Sequence, residues 1–279
     1  MKKFVAGVLS LGFAAVMAVG SASADDIPHF PLKDPPHLDW SFAGPFGTFD
    51  KQQLQRGLKV YTEVCSNCHS MDLVAFRNLA DLGYTPAQIK AFAAAHQVTD
   101  GPNDQGEMFQ RPGKPNDYFP SPFKNEEAAS YANGGAVPPD FSTIAKARAI
   151  KSGFPGFIFD IFTMYTTKGP DYVHALLTGY EKPPEGVKVP SGTYYNPYFH
   201  SAISLKMPPP LSDGIVEYTD GTPETVDQYA KDVAAFQMWA AEPHMVERKR
   251  IGFVVVIFMI ILAGLLYATK KAIYSRVDH

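Results

Sequence analysis

The chain is 279 residues long, with a net charge of −3, 46% hydrophobic side chains, 24 prolines, 22 glycines and two cysteines. Two cysteines exclude a disulfide framework, and the acidic balance argues against nucleic acid as a partner. The length between the two apolar ends fits one domain with long loops or two small ones.

In chain order, Lys2 and Lys3 precede an apolar run from Phe4 to Val19, and Ser21-Ala22-Ser23-Ala24 gives a small-residue exit before Asp25. This is the pattern of a secretory signal peptide over 1–24, cleaved after Ala24. From Asp50 to Val64, Leu54, Leu58, Tyr61 and Val64 recur at helical spacing, with Thr48 or Asp50 as the cap. That helix runs directly into Cys65-Ser66-Asn67-Cys68-His69. C-x-x-C-H is the spacing of c-type haem attachment. The two thiols lie one turn apart and can add to the two vinyl groups of a porphyrin, and the adjacent histidine becomes the proximal ligand. A thioredoxin-like pair would want a strand before it, and a structural zinc site would want a second Cys/His pair. The sequence offers neither, so the expected cofactor is one covalent haem c. Its attachment outside the cytoplasm agrees with the export signal.

Glycine and proline concentrate over 101–122, 134–139 and 183–210. Such long irregular connections are unusual in a compact domain, but loops can pack on a porphyrin instead of on secondary structure. Strand patterns are scarce. Helices are expected from Phe141 to about Ile150 and around Tyr172 to Thr178. A third begins after Thr222-Pro223-Glu224, where Thr222 reads as the cap, and carries Val226, Tyr229, Val233, Phe236 and Trp239 as its apolar stripe. The fold class is therefore mainly α, with long loops packed on haem.

Ile251 to Thr269 is an unbroken apolar run; its length at 1.5 Å per residue is about 28 Å, enough to cross a bilayer. Arg248-Lys249-Arg250 and Lys270-Lys271 flank it, so loop charge leaves its direction open; the signal peptide decides it. The expected division is a signal peptide over 1–24, an exported periplasmic haem c domain over 25–246, a single C-terminal transmembrane helix within 247–269, and a cytoplasmic tail over 270–279. The protein then sits in a bacterial inner (cell) membrane as a single-pass chain. Residues 25–246 hold 17 basic and 26 acidic residues, a net −9 that suits a basic protein partner.

The iron's sixth ligand separates an electron carrier from a catalyst. Met71 is too near His69 to reach the opposite face, and Met238 falls on a core stripe. Met207 heads Met207-Pro208-Pro209-Pro210, where prolines restrict the backbone; it is the first candidate, with Met108 and Met164 behind it. His96, His174 and His200 read as ordinary surface or core histidines.

Several longer stretches carry a resemblance. They include Val64-Cys65-Ser66-Asn67-Cys68-His69-Ser70-Met71, Asp100-Gly101-Pro102-Asn103, Arg111-Pro112-Gly113-Lys114, Pro138-Pro139-Asp140-Phe141-Ser142, Gly169-Pro170-Asp171-Tyr172-Val173, Met207-Pro208-Pro209 and Trp239-Ala240-Ala241-Glu242-Pro243. On these the chain resembles the cytochrome c1 family, the haem-bearing subunits of cytochrome bc1 (ubiquinol–cytochrome c reductase) complexes, from about Asp39 to about Lys271. The resemblance implies a c-type cytochrome fold. It implies thioether bonds at Cys65 and Cys68, iron ligation by His69 and Met207, a structural role for Met108, and a propionate site at Arg148 with Tyr172 nearby. Pro138 and Pro139 would line the haem pocket, and Gly57 and Phe236 would mark a helix crossing. The implied partners are cytochrome b, the Rieske iron–sulfur protein and cytochrome c, in a membrane complex that is dimeric. The chain itself then performs no bond-making catalysis. Residues 150–168 stand out as an insertion relative to mitochondrial members, and without a third cysteine the extra disulfide of some bacterial relatives is impossible.

Overall fold

The computed structural model describes residues 32–275; the signal peptide expected over 1–24 and the end of the tail lie outside the described residues. Helix α1 (Lys51–Glu63) starts where the Asp50 carboxylate accepts from the backbone N–H groups of Gln52 and Gln53. It buries Leu54, Leu58, Val60 and Tyr61 and passes into a 3₁₀ turn, Cys65–Asn67. A second 3₁₀ segment, Phe76–Leu82, leads to α2 (Pro86–Ala94). Thr85 and Gln88 cap α2 reciprocally, and Pro86 occupies its first turn. Strands β1 (Gln97–Asp100) and β2 (Phe109–Pro112) pair antiparallel. Short helices α3 (Glu126–Ala132), α4 (Ile144–Ala147) and α5 (Gly156–Phe159) follow, then α6 (Lys168–Thr178). Strands β3 (Tyr194–Tyr195) and β4 (Ser204–Leu205) form a second antiparallel pair. Helices α7 (Val226–Ala241) and α8 (Met245–Tyr274) complete the chain. The architecture is mainly α with one long apolar C-terminal helix, as expected.

Helix α7 is the centre of the core. Its stripe of Tyr229, Val233, Phe236 and Trp239 is buried, and Phe236 packs its ring on Tyr61 of α1 at 5.9 Å. The α1–α7 crossing falls at the expected pair: a methyl at Gly57 would overlap the Asp232 backbone and come within 2.6 Å of Phe236 Cβ. Only glycine allows so close an approach. Beside the crossing, the fully buried Asp232 carboxylate accepts from Arg56 Nε at 2.9 Å, Tyr218 Oη at 2.9 Å and Gln228 Nε2 at 2.8 Å. These partners offset the cost of taking the charge out of water.

Two expected boundaries are corrected. The helix after Thr222 begins at Val226, capped by Thr225, because residues 220–224 are engaged elsewhere. Asp220 accepts from the Thr222 N–H, and the Glu224 side chain accepts from the Tyr218 N–H. The helix expected over 141–150 shrinks to the single turn of α4, since Asp140 and Ser142 spend their side chains on a neighbouring segment.

Helix α8 runs 30 residues, and its apolar window, of mean hydropathy 2.8, is unburied throughout. At 1.5 Å per residue it is about 45 Å long, more than a hydrocarbon core requires. Its first two to three turns are tied to the domain: Met245 is buried, the Lys249 ammonium donates to the Phe42 carbonyl, and Phe253 meets the Phe46 ring edge-on at 5.6 Å.

Candidate functional site

Helix α1 hands the chain to the Cys65–Asn67 turn without loosening it. The N–H groups of Cys68 and His69 both donate to the Cys65 carbonyl, at 3.1 and 2.9 Å, and the Ser66 hydroxyl donates back to Thr62 at 2.8 Å. Continued helical winding sets Cys68 and His69 one turn after Cys65. Both cysteines are free thiols; Cys65 is half-buried and Cys68 exposed. Burial pushes the Cys65 thiol up to about 12, with the Cys68 thiol adding to the shift.

His69 is buried, and its Nδ1 lies 2.8 Å from the Pro139 carbonyl. A carbonyl oxygen only accepts, so Nδ1 carries the hydrogen and Nε2 keeps a free lone pair. Burial pulls the imidazole pKa down, against the opposing effects of the Pro139 bond and Asp140. The ring is thus a neutral, oriented donor, held further by Phe141 stacked at 4.1 Å and by Tyr61 donating to the His69 carbonyl at 3.2 Å.

Asp140 makes this arrangement stiff. Its carboxylate accepts from the Ser70 hydroxyl at 2.7 Å, the Asp72 N–H at 2.8 Å and the Ser142 N–H at 2.8 Å. The Phe141 N–H donates to the Ser70 carbonyl at 2.8 Å, and the Leu73 N–H to the Ser142 hydroxyl at 3.0 Å. Burial would raise the Asp140 pKa, yet the bonds from Ser142, Asp72 and Ser70 bring it below the ordinary value. Two segments about seventy residues apart are thereby clamped with His69 between them. Pro138, half-buried, and Pro139, exposed, lead into the clamp. The sequence motif alone assigns Asp140 no role; the Ser70/Asp140/Ser142 set of short polar side chains is the signal that points to one.

Met207 follows β4 and is half-buried. Tyr180 donates its hydroxyl to the Met207 carbonyl at 3.1 Å, and the neighbouring Lys206 ammonium donates to the Gly134 carbonyl. That second bond ties the methionine's strand to the stretch that ends in Pro138-Pro139. Met108 is 61% exposed at the β1–β2 hairpin, Met164 sits in the 150–168 stretch in a left-handed conformation, and Met238 is core, as expected.

Arg148 and Tyr172 are brought together through a residue that the sequence reading set aside. His200 stacks on Tyr172 with ring centroids 4.5 Å apart and planes 13° apart, and its Nε2 lies 3.5 Å from Arg148 Nη1. Tyr172 is buried, which raises its pKa against the opposing His200 backbone and Arg148 charge. Arg148 forms no salt bridge among the described residues, so a half-buried guanidinium is left for an outside carboxylate. The donor set fits a covalently held haem: two unpaired thiols one turn apart, a neutral imidazole with its outer nitrogen free, and a cation suited to a propionate.

Residues 40–277 match the model of the Cytochrome C1 family. The chain belongs to the cytochrome c1 family. It is 61% identical over 245 residues to the cytochrome b/c1 of Bradyrhizobium diazoefficiens, covering 86% of this chain and 36% of that longer protein. Identity to the cytochrome c1 of Blastochloris viridis is 49%, over 99% of this chain and 96% of the relative. Identity to a mitochondrial cytochrome c1 heme protein of Solanum tuberosum is 48%, over 87% and 84%. The matched region, residues 40–277, contains the Cys65–His69 turn and the Asp140 clamp.

Proposed function

We propose that this chain is the haem-bearing electron-transfer subunit of a bc1 complex, taking one electron from the Rieske iron–sulfur protein and passing it to cytochrome c. The observation that carries the reading is the His69 Nδ1–Pro139 bond beside two free thiols one turn apart, in a member of the cytochrome c1 family. Bound haem supplies a one-electron couple between ferric and ferrous iron. The protein's own part is positional and electrostatic. Cys65 and Cys68 provide the covalent hold, and His69 offers Nε2 in a tautomer fixed by Pro139. Met207 offers a thioether whose softness favours the reduced state, Arg148 balances a propionate with Tyr172 beside it, and Pro138 and Pro139 wall the pocket in a c-type cytochrome fold. No side chain is needed to make or break a substrate bond.

The same reading puts the haem domain on the periplasmic side of a bacterial cell membrane, after removal of residues 1–24, with α8 crossing beside cytochrome b in a dimeric complex. Exposed Asp104, Glu107, Glu126 and Glu127 supply negative surface for a basic cytochrome c, whereas Asp100 is already tied to Arg111. Electron transfer to cytochrome c should therefore slow as ionic strength rises; a salt-independent rate removes electrostatic steering from the account. The ligand set is tested by absorption and EPR spectra of the purified complex with and without carbon monoxide. Low-spin signals unaltered by carbon monoxide are expected. A high-spin spectrum with rapid carbon monoxide uptake would overturn the assignment of Met207, and purification without a cytochrome b would overturn the assembly.

A further inference from the structure

The 153–165 segment is the most apolar exposed surface of the domain outside α8. Phe154 is 84% exposed and Phe162 72%, and Phe157, Phe159, Ile161 and Tyr165 are exposed with them. So dense a cluster of large apolar side chains on a water-facing surface marks a contact. The chain makes this tip deliberately. Met164 and Tyr165 both take positive φ, 54° and 58°, turning the backbone sharply into buried Thr166 and Thr167 and leaving the preceding aromatics outside.

What covers the tip follows from its neighbour. The Phe162 carbonyl sits against Gly44, 3.2 Å from where a Cβ would stand. Two residues further on, Phe46 is 75% exposed and meets Phe253 of α8, while the Phe42 carbonyl holds Lys249. A cleft of about 270 Å³ continues the contact, lined by Phe46, Val246, Phe253 and Val254 with Lys249 and Arg250 among them. The aromatic tip is therefore continuous with the place where α8 leaves the domain. Exposed Lys151 flanks it in sequence, Lys168 on its other side pairs with Asp160 of the segment at 3.9 Å, and Arg250 is exposed on α8. Aromatic side chains with basic residues around them suit the boundary between acyl chains and anionic headgroups.

We propose that residues 153–165 are a second membrane attachment, with their aromatic side chains seated in the interfacial layer of the bilayer that α8 crosses. Two points of contact fix the tilt of the domain as well as its height, where a lone helix would leave it free to swing. The proposal rests on α8 being embedded in lipid, and the experiment reads that separately.

The test uses the haem-loaded full chain in its purified complex, in nanodiscs of phosphatidylcholine and phosphatidylglycerol. Nitroxide labels are placed one at a time at Phe154→Cys, Phe162→Cys, Val256→Cys and Tyr131→Cys, the native thiols being committed to haem. EPR power saturation then compares collisions with oxygen, which dissolves in lipid, and with a nickel chelate, which does not. The oxygen-to-nickel ratio at 154 and 162 should exceed that at 131 several-fold and approach that at 256. Ratios at 154 and 162 equal to that at 131, with 256 still in lipid, overturn the proposal. Shielding of 154 and 162 from both reagents also overturns it, in favour of a neighbouring subunit covering the tip. An aqueous reading at 256 overturns the anchor, and the attachment with it. Two label positions on exposed side chains guard against loss of one variant through misfolding.

Discussion

The two flanks of the proposed haem site are built in opposite ways. On the His69 side, the imidazole donates to the Pro139 carbonyl, the Asp140 carboxylate accepts from Ser70, Asp72 and Ser142, and the ring is stacked on Phe141. On the Met207 side, two tethers, from Tyr180 and from Lys206, and three successive prolines hold the segment. Where a residue is covalently adjacent to the attachment cysteines, a rigid network can be assembled around a short stretch of chain. Where the proposed ligand comes from far along the chain, backbone restriction replaces a network. On the proposed function the first flank would govern whether the group is held and the second its potential.

The largest effect that would break this division is on the Met207 side. Met207→Leu should leave haem attached through Cys65 and Cys68 while lowering the reduction potential by roughly 100 mV or more, well within the ~0.8 V range set by axial ligands. A redox titration of the membrane complex measures it, and an unchanged potential moves the ligand to Met108 or Met164. Next comes Asp140→Ala, which strips three donors of a charged acceptor and should cost about 3 kcal/mol. Denaturant unfolding measures that loss, and the fraction of chains carrying haem should fall in parallel.

Acid should reproduce part of the same loss. Because the folded-state pKa of Asp140 is depressed, its contribution is complete above the ordinary carboxylate pKa and disappears as pH falls through the lower folded value. Unfolding midpoints measured below about pH 4 should therefore drop more steeply in the parent than in Asp140→Asn. The smallest effect is that of Tyr180→Phe. It removes one neutral hydrogen bond worth about 1 kcal/mol and should shift the potential far less than Met207→Leu. A large shift would mean that the tyrosine, and not the proline run, positions the methionine.

The local parts of the site were readable in advance because their determinants are adjacent in sequence. The Leu54-Leu58-Tyr61 stripe, the Asp50 cap and the C-x-x-C-H turn all appear where expected. So do the α7 stripe and the apolar run of α8. Helix α2 was missed although Thr85, Pro86 and Gln88 spell its cap. The start of α7 was placed three residues early, because Thr222 and Glu224 carry helix-start chemistry but are recruited by Asp220 and Tyr218. The 141–150 helix was overextended for a similar reason: Asp140 and Ser142 found partners near residue 70.

The sequence by itself determined the C-x-x-C-H turn, the long apolar C-terminal helix and the principal helices, since each depends on spacing within one or two turns or on the length of one hydrophobic run. Tertiary structure alone decided which histidine nitrogen is free, that His200 joins Arg148 to Tyr172, and that the 153–165 aromatics stand beside the anchor. Each of those depends on segments dozens of residues apart meeting at hydrogen-bond or van der Waals distance, which no local pattern encodes.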